Sequence, residues 1–342
     1  MTGTDPARVP RRTLRTGATM PAIGLGTFGS DRYGPDEVAG AVSGALRAGY
    51  RLVDCAAVYG NEAQVGESLA GAFADGLDRD DVFVMTKVWN DAHEPADAVA
   101  SVRRSLRDLR LDRLDAVFVH WPFPNHHPPK ADTDARDPHA RPYDHRAYLA
   151  LWRALEGLVD EGVVGHLGTS NSTIPKLRLL LADARVPPSL HEMELHPSFQ
   201  QEELFAFCRE HGIQPVGYSP LGSPSRPERD RTPEDVVDTE LPVVREIAAA
   251  HGIHPVLVCL KWAVQRGQVP IPFAVKQSQY EANLAAVVED PLTPDEMEAL
   301  RSAERGNRLI KGQVFLWPGA GSWHDLWDLD GTTRLLEGVP QC

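Results

Sequence analysis

Four side chains in this chain have the types and spacing of a proton-transfer device. Asp54 and Tyr59 share the segment Leu52-Val-Asp-Cys-Ala-Ala-Val-Tyr59, Lys87 stands in Met85-Thr-Lys-Val-Trp89, and His120 in Val117-Phe-Val-His-Trp-Pro122. Any one of them alone is more often a satisfied structural group than a catalytic one. Together they describe an acid with its tuning groups. A tyrosine is a poor acid at neutral pH, with a reference pKa of about 10, but a neighbouring ammonium stabilises the phenolate and eases release of the proton. Lys87 can supply that charge. Asp54 would keep Lys87 charged and aimed, because an unpaired buried ammonium tends to lose its proton. His120 can donate a hydrogen bond to a carbonyl oxygen and stabilise charge that develops there.

None of these groups carries a hydride, so a reductase built on them needs a cofactor. Later segments offer its seat. Ser170 and Asn171 in Gly168-Thr-Ser-Asn171 and Glu192 further on present donors and acceptors suited to a carboxamide, and Tyr218 in Gly217-Tyr-Ser-Pro-Leu-Gly-Ser223 presents a flat ring for stacking.

The elements that must position these residues are short β-rich runs alternating with stretches of helical period, the pattern of repeated βα units on a parallel sheet. Strands are expected at Ala22 to Gly26, Arg51 to Asp54, Val82 to Lys87, Ala116 to His120, Gly165 to Ser170, Leu190 to Leu195, Gln214 to Tyr218 and Val269 to Pro272. Between them, helices are expected at Pro35 to Ala48, Glu62 to Phe73, Pro95 to Leu109, Tyr148 to Glu161 and Gln200 to His211, with a double helical stretch from Leu241 to Gln265. No linker divides the series, so the expectation is one (β/α)8 barrel domain over residues 1–342, although periodicity alone also permits an open sheet. Thr13 to Pro21 reads as a hairpin able to plug one end, and residues 1–10 as a frayed leader. The connections Pro122 to Asp144 and Leu221 to Glu240 follow strands, on the face where barrel enzymes build their sites. The tail from residue 309 carries Phe315, Trp317, Trp323 and Trp327 and could fold over the same mouth.

Composition narrows the partners. With 342 residues and 42% hydrophobic content the chain can bury a sizeable core. Its net charge of −13 disfavours nucleic acid and anionic lipid surfaces, so neither is expected as a partner. Cys55, Cys208, Cys259 and Cys342 have no metal-ligand spacing and are too few to staple the chain, which with the lack of an apolar signal core points to the cytoplasm. His126, His127, His139 and His145 in and beside the first long loop lack a rigid element to fix them, and no metal is expected there.

The segments Met20-Pro-Ala-Ile-Gly-Leu-Gly-Thr-Phe28, Asp54 to Tyr59, Lys87, His120-Trp-Pro122, Gly168-Thr-Ser-Asn171, Glu194-Leu-His-Pro197 and Tyr218-Ser-Pro-Leu221, in this order, resemble the aldo-keto reductase family, the aldose and xylose reductase type in particular. The resemblance runs from about Thr13 to Asn283. It implies a (β/α)8 barrel with an extended NADPH across its C-terminal mouth, reducing an aldehyde or ketone, a sugar or other hydroxylated carbonyl among them. It implies Tyr59 as proton donor, Lys87 and Asp54 as its tuning groups, and His120 as the residue that places the carbonyl. Thr27, Ser170, Asn171, Glu192, Tyr218, Ser219, Leu221, Ser223, Lys276, Ser278 and Asn283 would hold the cofactor, and Phe28, Trp89, Trp121 and Trp317 would line the substrate pocket. A monomer or weak homodimer is expected.

Two departures stand out. The family usually has glutamine where this chain has Glu192, and an ionised glutamate can accept but not donate. In the segment that normally grips the 2′-phosphate, Ile271-Pro-Phe-Ala-Val-Lys-Gln-Ser-Gln279, Phe273 and Gln279 replace the usual Lys and Arg. Lys276 and Ser278, or Arg226 and Arg229 from the long seventh loop, could compensate, so NADH or dual use stays open beside NADPH. Two rival readings are a non-catalytic cofactor-binding regulatory subunit on the same barrel and a metal-dependent barrel hydrolase or isomerase. The intact set of four argues against the first, and the lack of a ligand cluster at strand ends against the second.

Overall fold

Two backbone hydrogen bonds close the sheet on itself: Gly24 N–H donates to Pro270 O at 3.1 Å and Gly26 N–H to Pro272 O at 3.0 Å. The computed structural model describes residues 3–29, 32–126, 137–222, 231–233 and 235–329. Its eight parallel strands are β3 (Leu25–Gly26), β4 (Leu52–Asp54), β5 (Phe83–Val88), β6 (Leu114–Val119), β7 (Val164–Ser170), β8 (Leu190–Glu194), β9 (Gln214–Tyr218) and β10 (Val269–Pro270), hydrogen-bonded in sequence order. With the closing bonds they form the (β/α)8 barrel that the alternation of elements predicts. Strands β3 and β10 are shorter than the sequence suggests, since the prolines beside them cannot donate to a ladder. A Cβ at Gly24 would lie 2.1 Å from Leu52 Cδ2, so this glycine leaves room for the Leu52 side chain.

The hairpin comprises β1 (Arg11–Thr13) and β2 (Thr19–Pro21), paired antiparallel, and Gly17 at φ 87° makes its turn. Its Leu14 and Met20 join Leu52, Phe83, Met85, Ala116, Phe118, Leu190, Val216, Val269 and Ile271 in one buried cluster. That cluster is the inside of the barrel, and the hairpin plugs it. Within the segment read as a leader, Pro6–Arg8 form a 3-10 turn capped by Asp5, and Val9 is buried in the outer core.

Around the barrel lie α1 (Pro35–Ala48), α2 (Glu62–Ala74), α3 (Pro95–Asp108), α4 (His145–Asp160), α5 (Ile174–Asp183), α6 (Glu202–Glu210), α7 (Pro242–His251), α8 (Pro255–Gln265), α9 (Gln277–Ala286) and α10 (Pro294–Arg301). The double helical stretch divides into α7 and α8 because Gly252, at φ 62°, ends the first and Pro255 opens the second. Helices α5, α9 and α10 were not placed by the sequence pattern. Polar side chains at buried positions obscure the period of two of them, Lys176 in α5 and Asn283 in α9. Among the described residues no single helix is long and apolar enough to cross a membrane.

Alternation along each strand decides which side chains face the axis. Leu52 lies inside the barrel and Val53 in the outer core; Met85 lies inside and Val84 outside; Phe118 lies inside and Val117 outside. Counting two residues onward from these interior positions gives Asp54, Lys87 and His120. The same step from Leu190 gives Glu192, and from Val216 gives Tyr218. The polar set is therefore the last inward layer at the C-terminal end.

The tail packs against that end. Trp121, Phe123, Phe315, Leu316, Leu326 and Trp327 form a buried cluster, with Trp89, Trp317 and Trp323 against it. Asn125, 1% exposed, stitches the first long loop to the tail by donating to Phe315 O at 2.8 Å and Arg141 O at 2.9 Å. Glu194 at the end of β8 accepts from the amides of Leu309 at 2.7 Å and Ile310 at 3.0 Å. His196, fully buried, lies 2.9 Å from both Glu194 Oε1 and Asp238 Oδ2, so one imidazole joins the strand end, the second long loop and the start of the tail.

Candidate active site

Lys87 is the centre of the site. Its Nζ lies 2.5 Å from Asp54 Oδ1, donates to Cys55 O at 3.1 Å, and lies 3.3 Å from Glu192 Oε1. It is 1% exposed, so both carboxyls meet it in a medium of low polarity. Burial works against its charge, but Asp54, Glu192 and Tyr59 outweigh that and hold the ammonium well above the usual lysine range. Burial lifts Asp54 while the ammonium pulls it back. A buried charge with this many partners is retained rather than neutralised.

Tyr59 closes the 3-10 turn Ala57–Tyr59 just past β4, and the left-handed Gly60, at φ 66°, stops the turn there. The Lys87 ammonium lies 5.3 Å from its ring centre. The His120 ring stands edge-on to Tyr59 at 5.9 Å, the Phe28 ring is 5.0 Å away, and Trp89 packs edge-on to His120 at 5.0 Å. The four predicted residues thus lie together, brought from three strand ends.

The expected easing of the Tyr59 proton meets an opposing effect. Lys87 lowers the phenol's pKa, but burial raises it more and the negative charges of Asp54 and Glu192 add to the rise, so Tyr59 stays above the usual tyrosine range. It carries its proton at neutral pH and remains a donor. His120 is held well below the usual imidazole range by burial and by the Lys87 charge, so it is neutral. Its Nδ1 is buried without a partner among the described residues.

The described members of the predicted cofactor set fall into two groups. Ser170 ends β7 beside Glu192 in the parallel register. Asn171 follows at φ 55° and donates to His120 O at 2.9 Å and Ser170 Oγ at 3.1 Å, while Tyr218 OH donates to its Oδ1 at 2.7 Å. Thr27 anchors the first strand end by donating from Oγ1 to Asp54 O at 2.8 Å. Ser219, at φ 51°, and half-buried Leu221 continue from Tyr218 into the second long loop. A second group lies on α9: Lys276 and Ser278 are exposed at its N-terminus, whereas Asn283 is buried in its second turn. Phe273, in place of a cation, stacks obliquely on Tyr33 at 5.5 Å. Ser223, Arg226, Arg229, His127 and Cys342 lie outside the described residues.

The predicted pocket residues differ in access. Phe28 is 51% exposed at the mouth, whereas Trp121 is 5% exposed beneath the tail, 4.7 Å from Phe315 and 5.5 Å from Trp327. Trp317 packs at the edge of the same cluster. Sequence reasoning missed Phe315 as the ring that links Trp89, at 5.8 Å, to Trp121. It also missed Asn61, which donates to Thr27 O at 2.8 Å, and Asn125; a polar residue flanking each motif was the available signal. Of the loop histidines, His145 is held between Tyr143 OH at 2.9 Å and Asp183 at 2.8 Å, and His126 lies 3.3 Å from Pro124 O.

The barrel therefore carries, at its C-terminal end, an inward layer of ionisable side chains gathered around one buried ammonium. The comparisons give the family. Residues 22–305 match the model of the aldo/keto reductase family. An aldo/keto reductase of Synechocystis is 38% identical over 320 residues, covering 92% of this chain and 95% of the relative. Mouse aldo-keto reductase family 1 member A1 is 39% identical over 304 residues, covering 87% and 90%. The crystal structure of Bombyx mori aldo-keto reductase in complex with NADP superposes with a TM-score of 0.77 at 30% identity, covering 88% of this chain and 95% of that one. The chain belongs to the aldo/keto reductase family, whose members are oxidoreductases that generally carry out NAD(P)H-dependent carbonyl reduction.

Proposed function

We propose that this protein reduces an aldehyde or ketone to the alcohol with NADPH, Tyr59 giving the proton. The observation that carries the reading is the buried Lys87 ammonium 5.3 Å from the Tyr59 ring centre and 2.5 Å from Asp54. Residues at the ends of β7, β8 and β9 fit a nicotinamide: Ser170 and Asn171 offer hydroxyl and amide groups, Tyr218 a flat ring, and Glu192 Oε2 is a buried polar atom without a partner among the described residues. The cofactor, when bound there, supplies the hydride that reaches the carbonyl carbon.

The chain's own residues do the rest. His120, neutral, hydrogen-bonds the carbonyl oxygen and orients it toward Tyr59 OH. Tyr59 passes its proton to that oxygen as negative charge builds there, and Lys87 stabilises the phenolate left behind. Asp54 keeps Lys87 in place. Trp89, Phe28 and the tail cluster exclude water and favour a substrate with an apolar body, which supports a small-molecule aldehyde or ketone. Lys276 at the α9 N-terminus is the cation that would meet a 2′-phosphate in place of the absent Lys and Arg. The buried free thiols of Cys55, Cys208 and Cys259 suit a reducing compartment such as the cytoplasm. The protein acts as a monomer or weak homodimer.

The test is loss of reduced-nicotinamide absorbance with a panel of aldehydes and ketones. Tyr59→Phe is expected to lower kcat by about a hundredfold to ten-thousandfold with little change in cofactor affinity. Full turnover by that variant would overturn the role. Lys276→Ala is expected to raise KM for NADPH while leaving KM for NADH alone; an indifferent NADPH value would remove Lys276 as the phosphate ligand.

A further inference from the structure

Lys87 serves two carboxyls, and they are not equivalent. Asp54 Oδ1 holds the ammonium at 2.5 Å; Glu192 Oε1 stands off at 3.3 Å. Glu192 is 2% exposed, and its Oε2 is sealed from water with no partner among the described residues. One ammonium cannot neutralise two carboxylates in such a place. An ionised oxygen without a donor is costly to bury, and the cost disappears if that oxygen carries a proton. Between the two carboxyls the proton belongs on the one with the longer contact and the empty oxygen, Glu192.

We propose that Glu192 is a positioning residue which the reaction uses in its neutral form, donating and accepting as an amide would, and that its ionisation switches reduction off. This rests on the function proposed above and adds to it a regulation of the same site. In the neutral state the Glu192 hydroxyl is a donor on β8, in register with Ser170, and Lys87 keeps its charge for Tyr59. In the ionised state the donor is gone, and the ammonium is shared among Asp54, Glu192 and any phenolate that forms. Electrostatics run the same way: a negative Glu192 holds the Tyr59 proton more tightly and raises Tyr218 as well.

The groups that act on Glu192 come from each neighbouring element. Asp54 on β4 opposes its ionisation and Lys87 on β5 favours it, Tyr59 lies past β4 and Tyr218 on β9, and β7 sets the uncharged Ser170 opposite Glu192 in the register. Burial leads, Asp54 adds to it, and Lys87 only partly offsets them, so the carboxyl is pushed up to about 8. That places the switch just above neutrality.

Two measurements decide it. Infrared titration of the cofactor-free protein is expected to show a protonated-carboxyl stretch that persists through neutrality, fades as pH rises through about 8, and is missing from Glu192→Gln. Isotope-labelled glutamate in the wild-type chain assigns the band to a glutamate if the variant does not fold. Absence of a protonated glutamate at neutral pH overturns the proposal. In the second measurement, NADPH dissociation constants and kcat are followed against pH. Wild type is expected to lose kcat about tenfold per pH unit above the midpoint, and Glu192→Gln is expected to lack that limb. Superimposable profiles overturn the role of Glu192 alone, whereas failure of both chains to bind NADPH at any pH removes the function on which it rests.

Discussion

Lys87 shows how far one side chain can depend on its surroundings. It is 1% exposed, yet it stays charged because two carboxyls and a phenol face it. Removing it leaves the Asp54 carboxylate buried without its cation. Lys87→Met is therefore expected to cost about 3–5 kcal/mol of stability at neutral pH, beyond its loss of activity. The sign with pH follows from Asp54, since without the ammonium it escapes the penalty only by taking up a proton. The difference between variant and wild type should shrink as pH falls, which urea unfolding at several pH values would read. A constant gap would mean that Lys87 contributes by packing alone.

At the scale of elements, the end of β8 holds down two segments that the strand pattern leaves loose. His196 is buried between Glu194 and Asp238, Glu194 accepts from Leu309 and Ile310, and Asp238 accepts from Ser198 N–H at 2.7 Å. Burial opposes the imidazolium, but the hydrogen bonds and charges of the two carboxylates outweigh it and raise His196 to about 9. A folded-state pKa above the unfolded value of about 6.5 means stabilisation that is whole below pH 6.5 and is lost as pH rises through about 9. The amount is about 3 kcal/mol. Hydrogen exchange of the Leu309 and Ile310 amides should quicken over that window. In His196→Gln the amides should already be fast at pH 6.5 and the pH dependence lost; protection that stays unchanged in the variant would refute the clamp.

For the molecule as a whole, the helical ring is set by how closely its members approach. A Cβ on Gly66 in α2 would lie 2.1 Å from Asp108 O and 2.7 Å from the Leu109 backbone, at the end of α3. Backbone cannot give way as a side chain can. Gly66→Ala is expected to push α2 off α3 and to lower stability by about 1–3 kcal/mol despite alanine's better helix propensity. Thermal unfolding would detect it, and a gain in stability would show that the two helices are not in contact as described. The tail belongs to this scale too: Arg308 lies 3.5 Å from the Trp327 ring centre and Lys176 pairs with Asp328 at 2.5 Å, so packing and charge seat it over the C-terminal end.

The sequence by itself determined the eight strands in their order and the four residues at their ends, because strand pattern and strand-end motifs are local and survive in a single chain; closure of the sheet was decided by the bonds from Gly24 and Gly26 to Pro270 and Pro272. It also showed that position 192 carries a carboxyl. What it could not give was that residue's protonation, since reading Glu192 as ionised assumes water around it, and only the barrel wall removes that water. Nor could it show that burial would outweigh Lys87 at Tyr59, that Val9 would be buried, or that His196 would join three segments. Those depend on what the rest of the chain brings alongside, and burial and charge pairing are properties of that assembly rather than of any residue's neighbours in sequence.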